Sequence, residues 1–119
     1  MTELARRFEQ GPMSLAEVSR NQDISLDYLE QIAADLRRAG LLESRRGAQG
    51  GYHLARSPQT ITAGDVIRAL EGSILPVECV ADPRCTPCER EDSCTARGVW
   101  ETVRDRLVET LDGITLADL

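Results

Sequence analysis

The chain has 119 residues, of which 41% are apolar and 3% aromatic, so it predicts one mostly helical unit with an aliphatic core. No apolar run reaches the roughly 20 residues of a membrane span, and no signal-peptide layout is present, so we expect a cytoplasmic protein without a membrane partner. The net charge of −6 opposes binding to nucleic acid, but it is unevenly distributed. Residues 1–60 contain eight arginines and eight acidic residues, whereas residues 61–119 contain six and twelve, which leaves the first half able to approach DNA.

The first two predicted helices are short. Residues 2–9 favour a helix that stops at the Gly-Pro pair of residues 11–12, because proline cannot continue a helix and disfavours one just before itself. Ser14 and Glu17 have the spacing of a capping box, in which each side chain accepts a hydrogen bond from the other residue's backbone. A second helix is therefore expected to run from there to about Asn21.

A third helix and a β-hairpin follow. Ser25 caps a helix whose apolar residues recur at helical spacing and which ends at Gly40. Residues 41–45 and 52–55 read as two strands, and the glycine-rich residues 47–51 between them predict a flexible tip. This order is typical of a winged helix-turn-helix, in which the third helix, here called the recognition helix, enters the major groove of double-stranded DNA.

Polar side chains on the recognition helix and the hairpin are the candidate DNA contacts. A carboxylate such as Glu30 can accept a hydrogen bond from cytosine, and Gln31 can pair with adenine. Arg45 and Arg46 precede the hairpin tip, where arginine can enter a narrow minor groove. The alternative that the spacing leaves open is a solvated helix face and an ordinary hairpin. The predicted DNA-binding set is Ser25, Tyr28, Glu30, Gln31, Arg45, Arg46 and Gln49.

The second half predicts two more helices around an irregular loop. Residues 62–65 cap a fourth helix that ends at Gly72. Residues 77–96 show no periodicity, so this loop requires an organising element other than a core, such as a metal. An amphipathic helix is then expected over residues 97–112, followed by an apolar tail at residues 114–119.

The loop contains four cysteines, Cys79, Cys85, Cys88 and Cys94. A chain without an export signal keeps its thiols reduced, which favours metal or redox chemistry over disulfides. Zinc usually takes thiolates from short Cys-x2-Cys pairs, and only Cys85 and Cys88 form one, whereas iron-sulfur clusters accept irregular spacings. The spacing favours a cluster and leaves zinc as the alternative. No nucleophile with an adjacent base is found, so we expect no enzyme.

These motifs resemble the IscR/NsrR-type family of iron-sulfur winged-helix transcriptional regulators. The similarity runs through nearly the whole chain and is carried by residues 25–31 and 36–42 of the recognition helix and by residues 46–52 of the wing. Trp100 and residues 114–119 also match. The resemblance implies a homodimer in which the helix containing Trp100 packs against its counterpart, with a cluster near the end of that helix. It also implies that the contacts to bases or groove include Glu30, Gln31 and Arg46.

Two features depart from the family pattern. Members begin with a further basic, hydroxyl-rich stretch, whereas Met1 falls where the first helix is already under way, so we expect a truncated N-terminus. Members use three cysteines, and here either Cys85 or Cys88 matches the middle one. Where IscR offers a histidine three residues after the last cysteine, this chain has Arg97, which cannot be deprotonated to become a ligand. The extra cysteine is then expected to complete an all-thiolate site.

The sequence thus predicts a mostly α fold with a small β-hairpin wing and a long dimerisation helix. Its segments are a winged helix-turn-helix domain at 1–72, a cluster-binding loop at 73–96, and the dimerisation helix with its tail at 97–119. The expected protein is a homodimeric repressor that binds a double-stranded DNA operator and senses cluster supply, redox state or nitric oxide. The expected cofactor is a 2Fe–2S cluster, with 4Fe–4S as an alternative. Two other functions stay open, namely a zinc-stabilised DNA-binding module and an iron-sulfur or interaction protein that has lost DNA binding.

Overall fold

The computed structural model describes residues 1–74, 77–80 and 88–119. Within these ranges the chain is mostly helical and has one two-stranded antiparallel sheet, so the predicted fold class is confirmed. No helix in this part of the chain combines the length and apolar character that crossing a membrane requires. In chain order the elements are α1 Thr2–Arg6, α2 Leu15–Gln22, α3 Leu26–Arg38, β1 Leu42–Arg45, β2 Gly51–Leu54, α4 Ala63–Glu71 and α5 Arg97–Gly113.

The capping of α2 differs from the prediction. Ser14 Oγ accepts a hydrogen bond from the backbone N–H of Glu17 at 3.2 Å, as expected for an N-cap. The Glu17 carboxylate does not return that bond, because it accepts one from Arg7 Nη1 at 2.5 Å instead. One of the two hydrogen bonds of the expected capping box is therefore absent, because Arg7, in the turn after α1, binds the Glu17 carboxylate.

The turn between α2 and α3 is set by one backbone conformation. Asp23 caps the C-terminus of α2 with φ 53°, in the left-handed region that a few polar residues tolerate. Ser25 then caps α3 by accepting from the backbone N–H of Tyr28 at 3.3 Å. This confirms the predicted start of the recognition helix, which is α3.

The wing is larger than its two strands. β1 and β2 pair in antiparallel register, with Leu42 opposite Leu54 at the base. Met13, in the segment between α1 and α2, forms an isolated antiparallel bridge with Tyr52 on β2. A Cβ on Gly51 would collide with the backbone of Met13, so glycine is what permits this approach. The first helix-turn-helix segment and the wing are thus joined through the backbone.

The core lies between α3, the base of the wing and the start of α4. Met13 and Ile61 are the largest side chains that are almost completely buried, at 1% and 0% exposure. Leu116 from the C-terminal tail joins the same cluster, and its backbone N–H donates to Ile61 O at 2.9 Å. The tail, which the sequence grouped with the long helix, therefore packs into the winged unit.

Helix α4 begins as predicted and α5 has no fully buried side chain. Thr62 and Asp65 form a complete capping box, with the two reciprocal hydrogen bonds at 3.0 and 3.2 Å. Helix α5 extends one residue beyond the expected end, and none of its residues is buried in the single chain. Between α4 and α5, the described loop residues form two short 3-10 turns, Glu78–Val80 and Glu91–Ser93.

Candidate nucleic-acid interface and cysteine loop

One face of α3 is packed and the other is open to solvent. Leu29 and Ala33 are buried in the core at 8% and 2% exposure. Tyr28, Glu30 and Gln31 lie on the exposed side, and Tyr28 is 57% exposed. None of these three side chains makes a hydrogen bond or ion pair with another described residue. Their polar groups are therefore available to an external partner.

Ser25, one of the predicted DNA contacts, is also the N-cap of α3, as its position in the sequence predicted. Its hydroxyl oxygen accepts the N-cap hydrogen bond of α3, which leaves its proton as a donor. The two apolar residues that flank it, Ile24 and Leu26, are exposed at 36% and 40%. They add apolar surface beside the start of α3. The sequence prediction did not include these two residues, although their position next to the helix cap could have indicated them.

The wing presents uncompensated positive charge. Arg45, the last residue of β1, Arg46 and Gln49 are exposed. Neither arginine forms an ion pair within residues 1–74, 77–80 and 88–119. A guanidinium without a carboxylate partner can contact phosphate or enter the minor groove. The carboxylate nearest the tip on β1, Glu43, instead lies 3.4 Å from His53 Nε2 across the strand pair.

The eight arginines of the first half divide into paired and unpaired ones. Arg7, Arg38 and Arg56 each contact a carboxylate, at 2.5, 2.7 and 3.0 Å. The remaining five arginines of residues 1–60 have no carboxylate partner among the described residues. Arg20 was not among the predicted DNA contacts. It lies near the end of α2, the first helix of the motif, where it is exposed and has no ion-pair partner among the described residues.

The relative position of recognition helix and wing is set by packing. Helix α3 packs against β1 and α4, while the N-cap of α2 directly follows Met13, which is bound to β2. The helix-turn-helix and the wing therefore share one core and one set of backbone bonds. Their exposed polar side chains are therefore carried by one packed unit.

Three of the four cysteines can be placed. Cys79, Cys88 and Cys94 are free and exposed, whereas Cys85 lies outside the described residues. The described part of the chain contains no group of three or more His, Cys, Asp or Glu side chains close enough to hold a metal ion. The expected convergence of the thiols is therefore not seen among these three.

Both ends of the described cysteine set are attached to α5. Cys79 lies in the turn Glu78–Val80, and Arg104 Nη1 of α5 donates a hydrogen bond to Val80 O at 3.4 Å. The side-chain hydrogen bond with Asp105 raises the pKa of Arg104, and this ion pair lies beside the turn. Cys94 lies two residues before Ala96, the N-cap of α5, and its carbonyl accepts from the N–H of Arg97 at 3.3 Å. The turn that contains Cys79 is thus bound to α5, and Cys94 lies close to the N-terminus of the same helix.

The order of the elements, the wing and the exposed α3 face define a winged helix-turn-helix protein of the DNA-binding class. Residues 1–119 match the Rrf2 family, described as "Iron-dependent Transcriptional regulator". The chain belongs to the Rrf2 family of transcriptional regulators, and the resemblance inferred from its motifs is confirmed.

Relatives and solved structures support this assignment. The chain is 46% identical over 119 residues to the HTH-type transcriptional regulator CymR of Bacillus subtilis, covering 100% of this chain and 80% of that protein. It is 39% identical over 119 residues to IscR of Escherichia coli O1:K1, covering 100% and 72%. The structure of CymR, the global cysteine regulator of B. subtilis, matches with a TM-score of 0.77 and 44% identity over 98% of this chain and 84% of that one. T. potens IscR matches with a TM-score of 0.78 and 45% identity over 98% and 74%. These relatives are regulators and not enzymes, as expected.

Proposed function

We propose that this chain is a homodimeric repressor that binds an operator through α3 and the wing and carries an iron-sulfur cluster on Cys79, Cys85, Cys88 and Cys94. The observation that carries the DNA part is the combination of unpaired arginines at the wing with the exposed polar face of α3. Phosphate contacts from such arginines supply affinity, and side chains of α3 supply base discrimination.

The proposed division of labour follows from chemistry. Glu30 and Gln31 read base edges, because a carboxylate accepts from cytosine and an amide pairs with adenine. Tyr28 and Ser25 contact phosphates at the start of α3, since both keep a free hydroxyl proton. Arg45, Arg46 and Gln49 bind the minor groove or the backbone at the wing.

The dimer is supported by the apolar side of α5. Val99 and Leu107 are 63% and 37% exposed, and Trp100 and Val103 are only half-buried in the single chain. A second copy of α5 would cover this stripe by helix-to-helix packing. A dimer would also suit an operator with two half-sites, which in helix-turn-helix proteins lie one or more DNA turns apart.

The cysteine set fits a cluster by its donor chemistry. Free cysteine is normally buried, so three exposed thiols contribute no packing and are available as ligands. Arg97 is engaged with Glu101 at 2.9 Å and has no ligand capacity, which leaves thiolates as the donor set. When bound, such a cluster supplies a group that is sensitive to oxidants and nitric oxide. The family description as iron-dependent favours this cofactor over zinc.

A regulator without a cluster is the second candidate. The similarity to CymR, named as the global cysteine regulator of B. subtilis, favours it, as does the lack of a preassembled metal-ligand group among the described residues. In that case the loop cysteines would act as thiols, or hold zinc, and operator affinity would not depend on iron.

The deciding experiment is anaerobic purification with iron and sulfide analysis and optical and electron paramagnetic spectra. We expect iron and sulfide in comparable amounts, and we expect loss of the spectrum in Cys79→Ala and Cys94→Ala. Cys85→Ala and Cys88→Ala decide which is required. Thr95→Ala, an exposed residue next to Cys94, is the matched control and should keep the cluster. Colourless protein with stoichiometric zinc, or with no metal, would overturn the cluster proposal.

A further inference from the structure

A chain of ion pairs crosses from the end of α5 to the wing. Arg68 Nη2 on α4 contacts both carboxylate oxygens of Asp112 on α5, at 2.5 and 2.6 Å. Arg68 Nη1 lies 3.7 Å from Asp65 Oδ1, so the same guanidinium faces two carboxylates. Asp65 Oδ2 also accepts a hydrogen bond from Arg56 Nη2 at 3.0 Å. Arg56 follows β2 after a single intervening residue, which brings the series to the base of the wing.

The backbone supports the same connection. The N–H of Ala63 donates to Ile114 O at 2.8 Å, and Leu116 and Ile61 are joined by a second bond, so the chain after α5 is fixed to the start of α4. Asp112 therefore cannot move away without breaking either this bridge or its contact with Arg68. The carboxylates of Asp65 and Asp112 both lie near the N-terminus of α4, where the helix dipole favours negative charge.

Gly64 makes room for the central pair. A Cβ on Gly64 would overlap Asp112 Oδ1 and would lie 3.1 and 3.2 Å from the two terminal nitrogens of Arg68. Alanine is normally favoured over glycine inside a helix, so only this contact opposes it. The position therefore offers a way to break the ion pair without removing either charge.

We propose that Arg68 and Asp65 are positioning residues that make the orientation of the wing depend on the position of α5. Isolated exposed ion pairs contribute little to stability, and these side chains are 32% to 47% exposed. Their role is directional: a displacement of Asp112 pulls on Arg68, then on Asp65, and through Arg56 on the strand that binds Met13. The turn that contains Cys79 contacts α5, so this link would also transmit the state of the cysteine loop to the wing. That part of the inference rests on the proposed function.

The test compares Asp112→Asn, Arg68→Gln, their double variant and Gly64→Ala with the unchanged chain. Arg106→Gln is the matched control, because Arg106 pairs with Glu109 within α5 at 2.9 Å and bridges no elements. Hydrogen exchange of the β2 amides is measured on the protein as purified. Operator affinity is measured on the cluster-loaded and the chelator-stripped protein.

The first three variants and Gly64→Ala should accelerate exchange in β2 while leaving the amides of Leu29 and Ala33 in α3 unchanged. We also expect the operator affinities of the cluster-loaded and the chelator-stripped protein to become more alike. The ratio of the two affinities should be about two- to thirtyfold closer to one than in the unchanged chain. The double variant should be no worse than either single one. Arg68→Lys should recover part of the ratio, since it keeps the charge but offers one nitrogen to two carboxylates.

Unchanged exchange in β2 in Arg68→Gln and Asp112→Asn would overturn the inference. Acceleration that extends equally to α3, or that also occurs in Arg106→Gln, would overturn it too, because it would indicate general loosening. Equal operator affinities of loaded and stripped unchanged protein would instead contradict the proposed cluster sensing, and the exchange result would still decide the link.

Discussion

Met13 and Tyr52 exchange both of their backbone hydrogen bonds, with Met13 N to Tyr52 O at 2.9 Å and Tyr52 N to Met13 O at 2.8 Å. This pair adds a third, one-residue edge to the wing. Because Ser14 next to Met13 is the N-cap of α2, the pair also ties the helix-turn-helix to the hairpin. The α3 face and the wing, which we propose as the DNA-binding surfaces, are therefore expected to lose their fixed relation when the pair is broken.

Gly51→Ala should break this pair. The added methyl would collide with the backbone of Met13, and backbone cannot shift as cheaply as a flexible side chain. We expect a loss of about 1–3 kcal/mol in the free energy of unfolding, measured by urea denaturation, and weaker operator binding. Gly98→Ala is the control, because nothing lies within 4 Å of a Cβ there. Equal stabilities of Gly51→Ala and the unchanged chain would show that the contact is dispensable.

Arg45→Gln and Arg46→Gln should weaken operator binding about equally for all sequences. Each removes one unpaired cation, so the slope of log affinity against log salt should decrease by about one for each phosphate that the variant no longer binds. Fluorescence anisotropy at several salt concentrations measures both the affinity and the slope. Arg38→Gln is the control, since Arg38 already pairs with Asp35 at 2.7 Å. A salt slope that stays constant in both wing variants would rule out phosphate binding there.

Gln31→Ala and Glu30→Ala should change sequence preference and leave the salt slope unchanged. Removing a side chain that pairs with a base costs about 1–3 kcal/mol of discrimination at one position of the operator. Binding to a set of single-base operator variants detects this. Gln22→Ala is the control, because its amide donates to Glu3 at 3.0 Å and is not free for DNA. An unaltered preference in both α3 variants would place base recognition elsewhere.

Asp118 should make the tail sensitive to acid. The hydroxyl and the backbone N–H of Thr115 donate to its carboxylate at 2.7 and 2.8 Å, and these hydrogen bonds, the hydroxyl's first, lower the pKa of Asp118 below 3.8. Since the folded pKa is the lower one, the stabilisation is complete above about pH 4 and is lost as the pH falls through the folded pKa.

Asp118→Asn should therefore lower the urea midpoint at pH 7, and the difference from the unchanged chain should shrink as the pH is lowered below about 4. Glu9→Gln serves as the control, because Glu9 is exposed and has no partner among the residues that the structure describes. A difference that stays constant from about pH 7 to about pH 3 would mean that the carboxylate charge plays no part.

The helices and their starting points could be predicted because their signals are local. Ser25 and Thr62 cap the helices that they were expected to cap, since an N-cap needs only residues three positions apart. The Glu17 carboxylate was assigned wrongly for the opposite reason. Its partner Arg7 lies outside the spacing of the motif, and only folding brings the two charges together.

The candidate site residues, too, could be predicted from the sequence only in part. Residue types and spacing were sufficient to choose Glu30, Gln31, Arg45 and Arg46, and their roles at DNA stay predictions together with the cysteine ligands. What the structure adds is that these side chains are exposed and unpaired within the described ranges. Sequence spacing alone does not reveal exposure, because a polar residue on a helix can also be satisfied by a neighbour that is distant in the chain.

The amino-acid sequence by itself determined the class of fold, the order of the elements and the family, because hydrophobic periodicity, caps and glycine positions act over a few residues. Only the tertiary structure decided that Met13 joins the wing, that Leu116 enters the core and that Arg68 connects Asp112 with Asp65. The contacts of Met13 with Tyr52, Leu116 with Ile61 and Asp112 with Arg68 join segments that are distant in the chain, and they form only once the common core has brought those segments together.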